Sequence, residues 1–118
     1  MKVKAPKNTY QFGILAEKIT MIYLRFKGYK IIKWRFKNYF GEIDIIAKNK
    51  NLIAIIEVKA RKKKILLEDA VSDSQIKRII NAAEYFIAKN PKYHKCQLRF
   101  DLIEVGRFFL IKHHKNFF

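Results

Sequence analysis

Cysteine is all but missing from this chain. Cys96 is the only one, so no internal disulfide can form, and a thiolate metal site would have to recruit His94, His113 and His114. Those histidines stand in His94-Lys95-Cys96 and His113-His114 with no second paired motif, which reads as surface or structural rather than as a zinc centre. A chain without disulfides suits a reducing compartment, and residues 1–8, basic and polar with Pro6, lack the apolar stretch of a secretory signal; a cytoplasmic location is expected. Long apolar runs are missing too. Hydrophobic residues alternate with charges throughout, nowhere approaching the ~20 consecutive apolar residues of a spanning helix, so no membrane partner is expected. Acids are scarce: 10 Asp and Glu stand against 26 Lys and Arg, a formal net charge of +16. Such a surface attracts polyanions, and nucleic acid is the expected partner because neutralised phosphates release counterions. A compositional bias toward Lys, Ile and Asn would produce the same charge with no partner at all.

Glycine and proline are equally sparse, at four and two residues, and most of them punctuate the chain. From Thr9 to Lys27, Phe12, Leu15, Ile19, Ile22, Tyr23 and Phe26 recur three or four apart, the spacing of a helix with one buried stripe, and Gly28 ends it as a C-terminal cap. Tyr29 to Phe36 and Glu42 to Lys48, separated at Gly41, are rich in β-branched and aromatic residues and read as strands. Asn49-Lys50-Asn51 is a turn signal, and Leu52 to Ala60 resumes the strand pattern as the second arm of a hairpin. A second helix is expected from about Ser72 to Lys89. Ser72 and Gln75 have the form of a capping box, with Ile76, Ile79, Ile80, Ala83 and Phe86 as its buried stripe; Asn90-Pro91 stops it. Gln97 to Glu104 and Phe108 to Lys112 form a second hairpin across Gly106. The order helix, three strands, helix, two strands predicts one α/β sandwich domain around a mixed sheet, with only 1–8 and 113–118 loosely held.

Chemistry concentrates in Gly41-Glu42-Ile43-Asp44 and Glu57-Val58-Lys59. Alternation along a strand puts Glu57 and Lys59 on one face. Pairing Lys48 with Ile53 sets Asp44 opposite Glu57; pairing Ala47 with Leu52 sets them one diagonal step apart. Facing carboxylates among isoleucines repel one another and gain raised pKa values. A divalent cation offsets this, and oxygen donors select a hard ion, Mg²⁺ or Mn²⁺, over zinc. Lys59 is placed to hold or deprotonate a water, or to neutralise charge developing on a phosphate. The competing reading makes Glu57 and Lys59 a solvated ion pair and Asp44 a surface residue.

Asp44 followed by Glu57-Val58-Lys59 resembles the Asp…(Asp/Glu)-x-Lys signature of the restriction-endonuclease-like nuclease superfamily. More closely, the chain resembles the YraN family of small bacterial proteins assigned to it, through Gly13, Ala16 and Glu17, Gly28-Tyr29, Gly41-Glu42-Ile43-Asp44, Glu57-Val58-Lys59 with Arg61, and Arg99-Phe100-Asp101. The resemblance implies a restriction-endonuclease-like three-layer sandwich. It also implies a metal held by Asp44 and Glu57, with Glu17 adding a third carboxylate from the first helix as in the similar archaeal Holliday-junction resolvases, and Lys59 assisting the attacking water. From the residues alone Glu17 stays open between that role and an ordinary exposed position. Arg35, Lys37, Arg61, Lys62, Lys63, Lys77 and Arg78 flank the site in sequence and read either as phosphate contacts or as an ordinary solvated lysine-rich surface, with Gln75 and Asp101 expected behind the ligands. Trp34, Tyr39 and Phe40 read either as packing residues or as platforms for unpaired bases. The expected activity is Mg²⁺-dependent endonucleolytic hydrolysis, of DNA ahead of RNA, with branched or repair intermediates as substrate and a homodimer as the assembly that symmetric cutting requires. The alternative is a non-catalytic nucleic-acid-binding protein on the same scaffold.

Overall fold

The computed structural model describes residues 9–61 and 70–118. The elements run α1 (Thr9–Phe26), β1 (Lys30–Asn38), β2 (Gly41–Asn49), β3 (Leu52–Ala60), α2 (Asp73–Ala88), β4 (Gln97–Val105) and β5 (Ile111–His114). The strands form one sheet in the order β1-β2-β3-β4-β5. Neighbours are antiparallel except β3 and β4, which run parallel with α2 between them in sequence. One apolar cluster joins α1 to the sheet through Ala16, Met21 and Leu24 against Ile45, Ala54, Ile56 and Ile103. A second joins α2 through Ile79, Ala82, Ala83 and Phe86 to Ile46, Ile53, Ile55 and Leu102. The architecture is therefore the expected three-layer α/β sandwich.

Local signals explain most boundaries. Gly28, at φ +92°, closes α1 as a Schellman motif, with Tyr29 N–H donating to Leu24 O at 2.9 Å and Gly28 N–H to Arg25 O at 3.1 Å. Ser72 Oγ accepts from Gln75 N–H at 3.2 Å at the start of α2. A two-residue turn, with Lys50 left-handed at φ +54°, joins β2 to β3. It sets the register Lys48↔Ile53.

Three expectations need correction. The buried stripe of α1 is Phe12, Ala16, Glu17, Thr20, Met21 and Leu24, whereas Ile22 and Phe26 face outward; the helix is rotated toward its small and polar residues because they permit close approach to the sheet. The last strand begins at Ile111 rather than Phe108, because Arg107–Phe109 form a 3-10 turn. The segment 113–118 is tied down rather than loose. His113 and His114 belong to β5, Phe117 N–H donates to Phe100 O at 2.7 Å, and Phe117 and Phe118 pack against the α2-side cluster. The expectation for residues 1–8 lies outside the described residues.

Candidate active site

The site forms where the sheet comes apart. Pairing of β2 with β3 ends at Ile45↔Ile56. One step further, Asp44 Oδ2 accepts the Val58 N–H at 2.8 Å, so a carboxylate takes over a backbone donor that the ladder leaves unpaired. The same register brings Asp44 to Glu57. Glu57 is buried, and its Oε1 lies 3.7 Å from Lys59 Nζ, itself partly exposed. Burial, then the Asp44 charge and a hydrogen bond with Asp44, push the Glu57 carboxyl up from its ordinary range to about 9, against the pull of Lys59. At neutral pH the Glu57 carboxyl therefore keeps its proton.

Glu17 joins them from α1. It is 8% exposed, and burial followed by the Asp44 charge raises its proton affinity. Its Oε1 accepts from Trp34 Nε1–H at 2.9 Å, and Arg35 Nε stands 3.4 Å away. Consecutive strand residues should point to opposite faces, yet Trp34 and Arg35 both reach Glu17. Arg35 manages this through a left-handed backbone, φ +55°, costing on the order of 1 kcal/mol or more for a non-glycine residue. That strain turns the guanidinium toward α1, where it also donates to Tyr10 OH at 3.3 Å.

The other expected contacts divide. Lys37 pairs with Glu42 at 3.0 Å in full solvent, and Lys77 and Arg78 lie exposed on α2; these remain available to a polyanion. Arg61 does not. Its Nε is 3.8 Å from Glu104 with the side chain mostly covered, and its Nη1 is buried with no hydrogen-bond partner among the described residues. Lys62 and Lys63 lie outside the described residues. Gln75 serves the helix cap through its backbone and makes no hydrogen bond to Asp44, Glu57 or Lys59 among the described residues. Asp101 is not behind the ligands. It pairs with Ile56 on the parallel neighbour, which gives it the phase opposite to Glu57, toward α1. There Arg99 donates to it at 2.8 and 2.7 Å, His113 bonds at 2.8 Å and Asn116 N–H at 2.9 Å. Sequence reasoning missed this network and the Trp34–Glu17 bond; the only clue to the latter was an indole N–H that needs a partner when half-buried.

The Glu57 environment has a consequence for pH. A carboxyl whose folded pKa exceeds its unfolded value keeps its proton longer in the folded protein, so stability falls as pH rises from about 4.5 toward 9. Metal-free protein is expected to melt at lower temperature at pH 9 than at pH 6. Glu57→Gln should flatten that profile and exceed the wild type at pH 9 by on the order of 2 kcal/mol; parallel profiles for the two proteins would show that Glu57 is not the group responsible.

Fold and site together define a class: a three-layer α/β domain whose sheet splits at one end around two facing carboxylates, a third from a helix, and a lysine. The chain belongs to the uncharacterised protein family UPF0102, which it matches over residues 16–105, and this is the YraN family its motifs resemble. A UPF0102 protein of Bartonella tribocorum is 41% identical over 115 residues, covering 98% of this chain and 88% of the relative. One of Bradyrhizobium diazoefficiens is 40% identical over 95% of this chain and 86% of its own, and one of Rhodopseudomonas palustris is 45% identical over 82% and 76%.

Proposed function

We propose that the protein is a metal-dependent phosphodiesterase acting on nucleic acid, an endonuclease with DNA as its expected substrate. The observation that carries this is the buried Glu57 carboxyl, its proton affinity raised by burial and by the facing Asp44, beside Lys59. An acid whose proton affinity is raised by burial and by a facing carboxylate marks a site that a cation would stabilise, and an all-oxygen donor set suits Mg²⁺ or Mn²⁺. Among the described residues no group of three or more His, Cys, Asp or Glu side chains is placed to hold a metal ion, so Glu17 does not stand with Asp44 and Glu57 as the expected third ligand. Mg²⁺ does not need one, since it is commonly held by one or two carboxylates with waters and phosphate oxygens completing the octahedron.

Asp44 and Glu57 would hold the ion, and Glu17 adds negative charge from the helix side. When bound, such an ion activates water and offsets charge on a phosphate. Lys59 brings a partly exposed ammonium to the same edge, where it neutralises charge developing on the phosphate. Trp34 and Arg35 hold Glu17 in place and spare the site an uncompensated third acid. Lys37, Lys77 and Arg78 supply contacts to phosphates, which position a strand without reading its sequence.

Cleavage of labelled duplex, single-stranded, flap and four-way-junction DNA in Mg²⁺, Mn²⁺ or EDTA tests this. Cutting should require the metal, and Lys59→Ala should slow it by about 10²–10³-fold, the usual loss when one group stabilising transition-state charge is removed.

A second reading, a non-catalytic binder on the same scaffold, is favoured by one observation. The carboxylates are already engaged within the protein, Asp44 by Val58 N–H and Glu17 by Trp34. A folded wild type that binds these DNAs equally well in EDTA and cuts none of them would establish it.

A further inference from the structure

The turn joining β1 to β2 is built from two aromatic residues, Tyr39 and Phe40, between the paired residues Asn38 and Gly41. Neither has a left-handed backbone, so the turn geometry makes no demand for these side chains, and polar residues would serve it better. Tyr39 is nevertheless 95% exposed. It meets Phe40 edge to face at 5.4 Å, and Phe40 meets Tyr85 of α2 at 5.6 Å, giving three rings in series on the surface. The backbone of the turn is pinned to α2. Asn38 Nδ2 donates to Ala82 O of α2 at 3.0 Å, and its Oδ1 accepts the Phe40 N–H at 3.0 Å. At Gly41 even a Cβ would come within 3.2 Å of Arg78 Cβ, so strand and helix touch there backbone to side chain.

Cations border the rings. Lys37 precedes the turn, Arg78 lies against Gly41, and Lys89 Nζ sits 5.4 Å from the Tyr85 ring centre. Glu42, an acid at this rim, pairs with Lys37 at 3.0 Å and partly offsets its charge. The turn also lies at the end of β2 that carries Asp44, three residues beyond Gly41 and hence about 10 Å along the strand.

We infer that Tyr39, Phe40 and Tyr85 form a stacking platform for unpaired nucleobases, so that the protein engages single-stranded or locally unpaired nucleic acid beside its carboxylate site. This deepens the proposed function by naming the form of its substrate. An exposed aromatic series on a turn pinned to α2 and bordered by cations matches what single strands offer and duplexes withhold: bare base faces alternating with phosphates. The net charge of +16 provides the attraction common to every nucleic acid; the rings provide the discrimination.

The test is binding of the full chain, in EDTA and about 100 mM salt, to fluorescent oligo-dT, oligo-rU and a duplex of equal length, followed by anisotropy. Tyr39→Ala should weaken binding to the single strands by roughly tenfold or more while leaving the duplex within about twofold, and Tyr39→Phe should behave as wild type. Loss on dT but not rU, or the reverse, supports the platform and tells DNA from RNA. Because Tyr39 touches solvent on nearly every side, folding should be unchanged, and a circular-dichroism melt confirms it. Equal affinity of Tyr39→Ala and wild type for single strands overturns the inference. So does an equal loss on duplex and single strand, a wild type that binds neither, or a change in oligomeric state in place of a change in binding. EDTA makes the result independent of catalysis: a protein that cuts nothing but loses single-strand binding in Tyr39→Ala keeps the platform, and one that cuts normally with unchanged binding loses it.

Discussion

Asp44→Asn is expected to remove metal-dependent cleavage, by at least about 10²–10³-fold, while nucleic-acid binding and the fold survive. The substitution is nearly isosteric. An asparagine carbonyl can still accept the Val58 N–H that Asp44 takes at 2.8 Å, so the split end of the sheet keeps its closure. What disappears is the charge that raises the proton affinity of both Glu57 and Glu17. With one carboxylate left at the pair, a hard cation loses half its protein charge, and its site with it. Binding should persist because Lys37, Lys77 and Arg78 are untouched. Cleavage, equilibrium binding and thermal melting of the variant, measured together, decide the matter. Cutting at a wild-type rate would remove Asp44 from the mechanism, and loss of binding along with cutting would assign it to the substrate rather than to a metal.

Asp101→Ala is expected to be the most destabilising single change, by roughly 3–5 kcal/mol. The carboxylate is fully buried, and it receives Arg99 through two bonds, His113 and the Asn116 N–H. Removing it strands a guanidinium and two further polar groups, and releases the C-terminal strand that His113 and Asn116 anchor. The melting temperature should fall by roughly 10–20 °C; a fall of only two or three degrees would show that the network contributes nothing beyond its own desolvation. Burial by itself would raise the Asp101 pKa, but the bonds from His113, Arg99 and Asn116 outweigh it and bring the carboxyl down to about 2. A depressed carboxyl stabilises the fold above its unfolded pKa, and that contribution is lost as pH falls through the folded value. Acid should therefore remove on the order of 2 kcal/mol between about pH 5 and pH 2, and Asp101→Ala should lack that part of the acid sensitivity.

Both residues were visible in the sequence, with different success. Asp44 and Glu57 could be paired from it because the two-residue turn at Lys50 and Asn51 leaves few registers, and the register observed, Lys48↔Ile53, is one of the two expected. Asp101 was assigned to the wrong side. Its orientation depends on how β4 aligns with β3, a parallel pairing across a long crossover through α2, and no local signal sets that register. The rotation of α1 was misjudged for a related reason. Large apolar residues advertise a stripe through Ile22 and Phe26, but the helix settles on Ala16, Thr20 and Leu24, where small side chains let it approach the sheet.

The sequence alone determined what short-range chemistry determines: seven elements from periodicity and punctuation, the cap at Gly28, the hairpin that brings Asp44 to Glu57, and a charge balance that attracts polyanions. Tertiary structure decided which groups leave water. Glu17 becomes a buried third carboxylate only because α1 turns that face inward, and only because Arg35 accepts a left-handed backbone to meet it beside Trp34. Arg61 is drawn back to Glu104, Asp101 faces its own network, and Phe40, with Tyr39 against it, stands beside Tyr85, forty-odd residues distant in the chain. Burial and proton affinity depend on neighbours that the chain supplies from far away, so they become readable only once the layers are packed.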